Sequence, residues 1–240
     1  MDYKMKIGIN NIWMLCKASS IYCIIMLLSA CGPTSSITRG EQYAKMYEEK
    51  PVTLLVMPPI NNTSNVEAKD YLYTSICRPL AEAGYYVLSP MLVMDILKSE
   101  SAYDSELFIN KSLGQFKDFF GADAVVFSEI NKWTKIGFGI ETDIRYFIKS
   151  TTTGEILFDR NCELYLDLSY SSSGSSSSGL IALLDLAASA ISTATTDHIV
   201  AARHANSFIF SDIPRGKYSP EYQVDKDTAA AKQNIEATIK

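Results

Sequence analysis

The residues best suited to chemistry stand at Leu28-Ser29-Ala30-Cys31, at the end of a short apolar run. A cysteine sulfur can take a diacylglycerol group, and the small Ser29 and Ala30 side chains let a peptidase cut before Cys31. This pattern is typical of the lipobox of bacterial lipoproteins, in which the freed amine of the cysteine is then acylated. Several acyl chains on one residue give stable membrane anchoring, whereas one chain is marginal. We therefore predict lipidation at Cys31.

The segment before Cys31 has the composition of a secretory signal. Residues 21–30 carry no charge, and three lysines, the last at position 17, precede them. A basic start, a short apolar segment and small residues are typical of a signal peptide. The apolar run is shorter than the roughly 20 residues that a spanning helix needs. We predict a signal peptide over residues 1–30, with Met1, Met5 or Met14 as its start. The alternative is an ordinary signal, or a buried apolar segment, in which Cys31 is incidental.

Other reactive residue types do not form a recognisable catalytic or metal motif. His198 and His204 are six positions apart, which does not place them on one helix face as a spacing of four would. The serines of 171–178 lack a Gly-x-Ser-x-Gly elbow. Gly137 and Gly139 have no third glycine and no following helix, so they favour a bend rather than a nucleotide loop. We predict no catalytic residue, no cofactor and no metal.

Two cysteines follow the lipobox, Cys77 and Cys162. An oxidising periplasm would permit a disulfide between them. Both also lie at positions with a core-facing pattern, where free buried thiols are common. Both alternatives stay open, and no neighbouring histidine motif indicates a nucleophile.

The charge of the chain excludes some partners. The formal net charge is −5, and without residues 1–30, which hold three lysines and Asp2, 19 basic and 26 acidic residues remain. Nucleic-acid binders show a basic face, so this net charge of −7 argues against nucleic acid. The chain also lacks the Lys/Arg cluster that would indicate binding to anionic lipid headgroups.

A loop after the first predicted strand is the candidate binding surface. Residues 52–57 form a short apolar run that predicts a buried strand closed by Pro58 and Pro59. Ligands of open α/β sheets bind beyond the carboxyl ends of such strands. The predicted partner or ligand loop contains Pro58, Pro59, Asn61, Asn62 and Thr63. The more ordinary interpretation is a turn that caps the next helix, which we predict over 67–83 with a kink at Pro79.

The remaining pattern predicts the architecture. Apolar runs or alternation indicate further strands at 85–88, 124–130, 136–149 and 156–168, the last two joined as an antiparallel hairpin. Arg160 falls on the interior side of that hairpin and needs a partner. Residues 169–179 are Ser-rich and predicted flexible, and 180–205 predict a long helix, with 208–210 as an apolar clamp or short strand.

We therefore predict an α/β (α+β) single domain: a mixed sheet of about five strands with a long antiparallel hairpin, helices packed on it and a long C-terminal helix. The predicted boundaries are a tether over 31–50, helical near 41–49, the domain over 51–215 and a polar tail over 216–240.

Several pieces of the sequence resemble a family of unknown function, the bacterial outer-membrane lipoproteins typified by a neisserial surface lipoprotein. The matching pieces are residues 57–61, 79–88, 120–124, 153–157 and 214–216. The resemblance implies a single α/β domain similar to the amino-terminal domain of TolB, in a protein of an envelope transport or assembly system. It implies no catalytic residue. The tail after Tyr222 has no counterpart in the resemblance.

Together these observations predict a non-enzymatic, lipid-anchored adaptor or component of an outer-membrane transport or assembly system. Gly32 is not the aspartate that retains lipoproteins in the inner membrane, and no acidic run follows it, so we expect the periplasmic face of the outer membrane. The expected partners are the membrane, through the N-terminal lipid, and envelope proteins, with self-association included. The alternatives are a small-ligand or glycan-binding lipoprotein that uses the Pro58–Asn65 loop, and an unrecognised enzyme.

Overall fold

A seven-stranded mixed β-sheet organises the part of the chain that this computed structural model describes, residues 37–168 and 194–239. Its order is β3-β1-β4-β5-β6-β7, and β2 pairs with the middle of β4, at Glu129 and Ile130. The α/β fold predicted from the sequence is confirmed, with two strands more than expected. The strands are β1 (Thr53–Val56), β2 (Ile60–Asn61), β3 (Tyr86–Val87), β4 (Ala124–Ile136), β5 (Gly139–Ser150), β6 (Ile156–Asp167) and β7 (Asn234–Ile239).

The centre of the sheet changes from parallel to antiparallel pairing at β4. β1 pairs in parallel with β3 and β4, while β4, β5 and β6 form an antiparallel meander. The meander turns at Gly137-Phe138, where Gly137 has φ +57°, so Ile136 ends β4 and does not begin the next strand as predicted. The alternation continues through this two-residue turn, so its period alone could not locate the turn.

Helices cover both faces of the sheet. The break between α3 and α4 lies at Ile76. The predicted helix over 67–83 is thus divided in two, and the kink expected at Pro79 falls at Ile76, because the Pro79 ring crowds the Ser75 carbonyl and Pro79 has no amide to donate to it. The described helices are α1 (Arg39–Gln42), α2 (Ala44–Glu49), α3 (Ala68–Ser75), α4 (Cys77–Glu82), α5 (Pro90–Ser99), α6 (Gly114–Phe120) and α7 (Ala194–Phe210), with a 3₁₀ helix at Ser105–Phe108.

Alternate residues of the strands serve two separate cores. The main core packs one sheet face against α2, α3, α4 and α7, and Ala124, Val126 and Ile130 of β4 belong to it. The second core packs the other face against α5, α6 and the 3₁₀ helix, and Val125 and Phe127 belong to that one. Each fully buried large apolar side chain stabilises the fold by about 1.5–3 kcal/mol relative to its exposure to water.

The C-terminal helix ends later than the sequence predicted. α7 runs to Phe210, so residues 208–210 close a helix and form neither a strand nor a separate clamp. Ala201, Ala202, Ala205 and Ile209 continue one buried stripe at helical spacing. The Ser-rich loop at 169–179 and the first part of the predicted helix lie outside the described residues, as does the signal peptide.

Both terminal segments belong to the folded unit, which corrects the predicted tether and tail. Tyr43, Met46 and Tyr47 are buried in the main core, because they recur at the three-to-four spacing of a helix that docks one side. Residues 234–239 alternate polar and apolar side chains and pair in parallel with β6, which makes β7. The compact unit begins at Ile37. In the described residues, no helix has both the length and the apolar character needed to cross a membrane.

Candidate functional site

In the predicted binding loop, Pro58–Asn65, the Asn61 side chain forms its hydrogen bonds with other residues of the loop. The Asn61 Oδ1 atom accepts hydrogen bonds from the Thr63 amide (3.0 Å) and hydroxyl (2.7 Å), and the Asn61 Nδ2 atom donates to the Asn65 carbonyl (2.7 Å). Pro58 and Pro59 are buried, and the Pro58 carbonyl accepts from the Ser105 hydroxyl. These groups are therefore occupied within the fold.

The loop also contacts a neighbouring strand and precedes a helix without a side-chain cap. The Asn62 side chain is exposed and donates to the Asn131 side chain at 3.2 Å. The helix that follows, α3, has Glu67 at its N-cap and no side-chain capping bond. The loop is thus an internally bonded Asx turn, and the capping-turn interpretation does not describe it.

A second polar cluster joins the two terminal segments, and we call it the terminal junction. It consists of residues 37–50 and the C-terminal arm, residues 211–231. The Arg39 Nε atom lies 2.8 Å from Asp212 Oδ1, and its Nη1 atom lies 3.4 Å from Asp225 Oδ2. The Tyr43 hydroxyl (3.1 Å) and the Ala231 amide (2.9 Å) both donate to Asp212 Oδ2. Both carboxylates are buried, so the cluster is a buried charged network.

Backbone pairing runs beside this network. Thr38 forms an antiparallel bridge with Ala229, and the Thr38 hydroxyl and the Glu41 carboxylate form a capping box that starts α1. The Arg215 amide donates to Asp225 Oδ2 at 2.9 Å. Three backbone bonds link the segments: Ala230 N to Ile37 O (2.8 Å), Arg39 N to Thr228 O (2.8 Å) and Gly40 N to Lys226 O (2.9 Å).

Burial governs the ionisation of the junction. Desolvation raises the pKa of Tyr43 and of Tyr47 well above the ordinary value, so both phenols stay neutral at physiological pH. Burial acts to lower the pKa of Arg39, but its hydrogen bond and charge interaction with Asp212 outweigh this and raise it. The junction therefore holds a permanent guanidinium cation beside Asp212 and Asp225, together with two phenols that are neutral at physiological pH.

The C-terminal arm also packs on the end of α4. Gly84 has φ +93°, and a Cβ atom there would lie 2.5 Å from the Ser219 amide nitrogen. The Gly216 amide donates to the Ala83 carbonyl (2.9 Å), and the Tyr218 amide donates to the Gly84 carbonyl (3.0 Å). Glycine at position 84 thus ends the helix, as predicted, and admits the arm.

Arg160 finds its partners among backbone carbonyls. Its guanidinium donates to the carbonyls of Ile209 (2.5 Å) and Lys232 (2.8 Å), and its side chain is almost fully buried. Burial lowers its pKa. A cation at the C-terminal end of a helix is favoured by the unpaired carbonyls there. Arg160 therefore joins the end of α7 to the residues before β7, near the terminal junction.

The two histidines lie in different surroundings. The Trp133 Nε1 atom donates to His198 Nδ1 at 2.8 Å, and His198 stacks on Tyr71 with ring centres 5.6 Å apart. His204 stacks on Phe208, and burial lowers its pKa. Within residues 37–168 and 194–239, no group of three or more His, Cys, Asp or Glu side chains could hold a metal ion.

Cys77 and Cys162 are free thiols in the structure, so the disulfide alternative is not formed there. Cys77 is partly buried on α4 and Cys162 is fully buried on β6. Desolvation raises the pKa of Cys77 to about 11 and that of Cys162 to about 12. Because the thiolate is the reactive form, both thiols are poor nucleophiles at neutral pH. Cys31 lies outside the described residues.

A shallow cleft of about 420 Å³ lies between α4, the end of α7 and the C-terminal arm. Its charged lining consists of Glu82, Arg215 and Glu221. The Arg215 Nε atom pairs with Glu221 at 3.1 Å, and Glu82 pairs with Arg78 at 2.8 Å. Since these charges are already paired, the cleft does not bring together an acid and a base for catalysis.

The fold and the site define the class of protein: an α/β domain whose buried polar groups hold its two terminal segments together. The chain belongs to the family described as "Putative lipoprotein GNA1162-like", whose model matches residues 41–215. This confirms the resemblance found in the sequence. Asp212 lies inside the matched range, whereas Arg39, Asp225 and β7 lie outside it.

Individual relatives are more distant. The chain is 28% identical over 109 residues to "Putative lipoprotein NMB1124/NMB1162" of Neisseria meningitidis serogroup B, a match that covers 45% of this chain and only half of that protein. It resembles the crystal structure of lipoprotein GNA1162 from Neisseria meningitidis at 23% identity and a TM-score of 0.47, covering 57% of this chain and 94% of that one. The LpoB C-terminal domain from Salmonella enterica is similar at 18% identity and a TM-score of 0.37, covering 52% and 93%.

Proposed function

We propose that this protein is a non-enzymatic, lipid-anchored envelope protein that acts as an adaptor or component of an outer-membrane transport or assembly system. Membership of a lipoprotein family and the Leu28–Cys31 pattern support the anchor. The observation that carries the proposal is the terminal junction, because it fixes the chain to the domain from Ile37 onward.

The junction limits how far the domain can stand from its anchor. Only residues 32–36 separate Cys31 from the folded unit, which begins at Ile37. A fully extended chain spans about 3.3–3.6 Å per residue, so Ile37 lies within roughly 20 Å of the lipidated cysteine. A domain held this close to a membrane suits contacts with other membrane-bound proteins rather than reach across the periplasm.

The paired polar groups of the described residues support a role without catalysis. The Pro58–Asn65 loop and the cleft residues bond within the fold, and the two thiols are neutral. We assign the protein to the outer membrane because Gly32, not aspartate, follows Cys31, and to its periplasmic face because no acidic run follows Gly32.

Substitution of the lipidation site tests the anchor. Cells that make the wild-type protein or the Cys31→Ser variant are supplied with labelled palmitate. The mass of the protein is then measured, and the cells are separated into membrane and soluble fractions. We expect the wild-type protein to be shortened, labelled and found in outer-membrane fractions, and the variant to be unlabelled and uncut before residue 31. A variant that is still labelled and shortened there would overturn the proposal.

Crosslinking in intact cells tests the adaptor role. We expect the wild-type protein to form crosslinked species with envelope proteins, and the Cys31→Ser variant to lose those that require the membrane. Recovery of the wild-type protein only as an uncrosslinked monomer would contradict this role.

A further inference from the structure

The last strand of the sheet has an unpaired edge in the described part of the chain. β7 pairs only with β6 and ends the strand order. The hydrogen bond from the Asn161 amide to the Gln233 carbonyl (2.9 Å) sets the phase of this parallel pair. Since bonding residues alternate along such a strand, Ile235, Ala237 and Ile239 bond to β6. The amides and carbonyls of Asn234, Glu236 and Thr238 therefore point outward.

β7 lacks most of the features that usually keep an edge strand from pairing, and Glu236 is its one charged residue. Native edges are blocked by proline, by lysine, by a bulge or by very short length. Residues 234–239 contain no proline and no lysine, and their pairing with β6 runs without a register shift. One side of the strand carries partly buried apolar residues that extend the main core to the edge: Ile235, Ala237 and Ile239.

We infer that β7 pairs with β7 of a second copy of this chain, antiparallel and about a two-fold axis at Ala237. Antiparallel neighbours on one sheet face must match in side-chain direction. The axis at Ala237 places Ile235 opposite Ile239 of the partner subunit, so both apolar sides form one continuous surface. It also places Glu236 opposite Thr238 of the partner subunit.

The outward backbone groups fit this register. Ala237 bonds to β6, so the two Ala237 residues form a non-hydrogen-bonded pair across the axis. Glu236 and Thr238 have outward amides and carbonyls, and they form the hydrogen-bonded pairs on either side. An axis at Glu236 would instead oppose two carboxylates, which destabilises a sheet. Of these two registers, the sequence of β7 therefore favours the one with its axis at Ala237.

The same axis is consistent with anchoring of both copies to one membrane. This point rests on the proposed function, in which each copy carries a lipid. The two-fold axis is perpendicular to the sheet, so both copies present the same sheet face to the same side. Tyr43 and Met46 of the junction belong to the main core on that face. The two copies of Tyr43 and Met46 thus lie on one side of the dimer.

Disulfide trapping tests the register. Residues in a non-hydrogen-bonded antiparallel pair have Cα atoms about 4.5 Å apart, within the range that a disulfide spans. The full-length protein, purified in detergent and oxidised with copper phenanthroline, should form a disulfide-linked dimer as Ala237→Cys. The parent protein should stay unlinked. Asn234→Cys should also stay unlinked, because the two copies of residue 234 lie at opposite ends of the paired strands. Equal linking of Asn234→Cys and Ala237→Cys would overturn the register.

A charge pair of variants tests the contact without a cysteine. Thr238→Lys places a lysine opposite Glu236 of the partner subunit at both symmetric positions, and Thr238→Glu places a carboxylate there. We expect sedimentation in detergent to show a dimer dissociation constant about 3- to 10-fold lower for lysine and raised by a similar factor for glutamate. Monomer at all protein concentrations, or equal shifts in one direction, would overturn the proposal. Cys31→Ser should dimerise like the wild type, so failure of the lipid anchor would not be mistaken for failure of this contact.

Discussion

The Pro58–Asn65 loop and the terminal junction are both polar, but they satisfy their polar groups at very different distances along the chain. Asn61 bonds to residues two and four positions away, whereas Arg39 pairs with Asp212 across 173 positions. The Asn61 side chain bonds only within the loop, so its removal should affect mainly the loop itself. The junction closes the folded unit, because it attaches both terminal segments to the same sheet. The two sites have a similar polar composition. They differ in the sequence separation between the residues that hydrogen-bond or pair.

The largest expected effect is the loss of a buried charge partner in the junction. Asp212→Ala leaves the Arg39 Nε atom, the Tyr43 hydroxyl and the Ala231 amide without their acceptor, and Arg39 keeps only its longer contact with Asp225. Breaking a buried ion pair costs about 3–5 kcal/mol, and we expect this loss in the free energy of unfolding measured by urea denaturation. Glu221→Gln is the matched control, since its exposed pair with Arg215 contributes at most about 1 kcal/mol. Similar losses for the two variants would remove the distinction between the junction and a surface pair.

A smaller effect should follow at the contact between the arm and α4. Gly84→Ala combines a left-handed backbone with a Cβ atom 2.5 Å from Ser219 N, and we expect it to lower the free energy of unfolding by roughly 2–4 kcal/mol. Gly121→Ala has φ +68° with no atom within 4 Å of the new Cβ, so it should cost only about 1–2 kcal/mol. Thermal unfolding of both variants separates the clash from the backbone strain. Equal costs would show that the arm yields to the new side chain.

The loop should give the smallest effect. Asn61→Ala removes two accepted hydrogen bonds and one donated bond within the loop, and we expect a loss of about 1–2 kcal/mol in urea denaturation. Asn62→Ala removes one exposed contact to Asn131, so its effect should stay within about 0.5 kcal/mol. If Asn61→Ala destabilised the protein as strongly as Asp212→Ala, the loop would be a long-range support like the junction.

Local patterns in the sequence predicted most of the sheet. The apolar run of β1 and the alternation of β5 and β6 each arise within a few residues, so they could be recognised without the fold. The same holds for Gly84 and Gly121, which end helices as expected. The turn at Gly137 could not be predicted, because apolar and polar residues alternate on both sides of it.

The terminal junction could not be predicted in the same way. Arg39, Asp212 and Asp225 stand in polar surroundings, and nothing near any of them indicates its partners. β7 did carry a signal, the alternation of residues 234–239, but the polar residues before it resemble a surface tail. Tyr43, Met46 and Tyr47 likewise gave a helical spacing in a segment whose composition is typical of a tether. The polar composition of both segments predicted a tether and a tail. The spacing of a few apolar residues in each segment would have predicted the helix and the strand.

The proposed lipid anchor at Cys31 would hold Ile37, the first residue of the folded unit, within about 20 Å of the lipidated cysteine. The direct measurement places a fluorophore on Ile37→Cys in the full-length, lipidated protein in vesicles that contain headgroup nitroxides. Cys77 and Cys162 are protonated at neutral pH, because burial raises the pKa of each thiol, so the new cysteine should react selectively. Phe138→Cys, at the exposed tip of the meander, is the control. We predict strong quenching at position 37 and weaker quenching at position 138; equal and weak quenching at both would contradict a domain held beside the membrane.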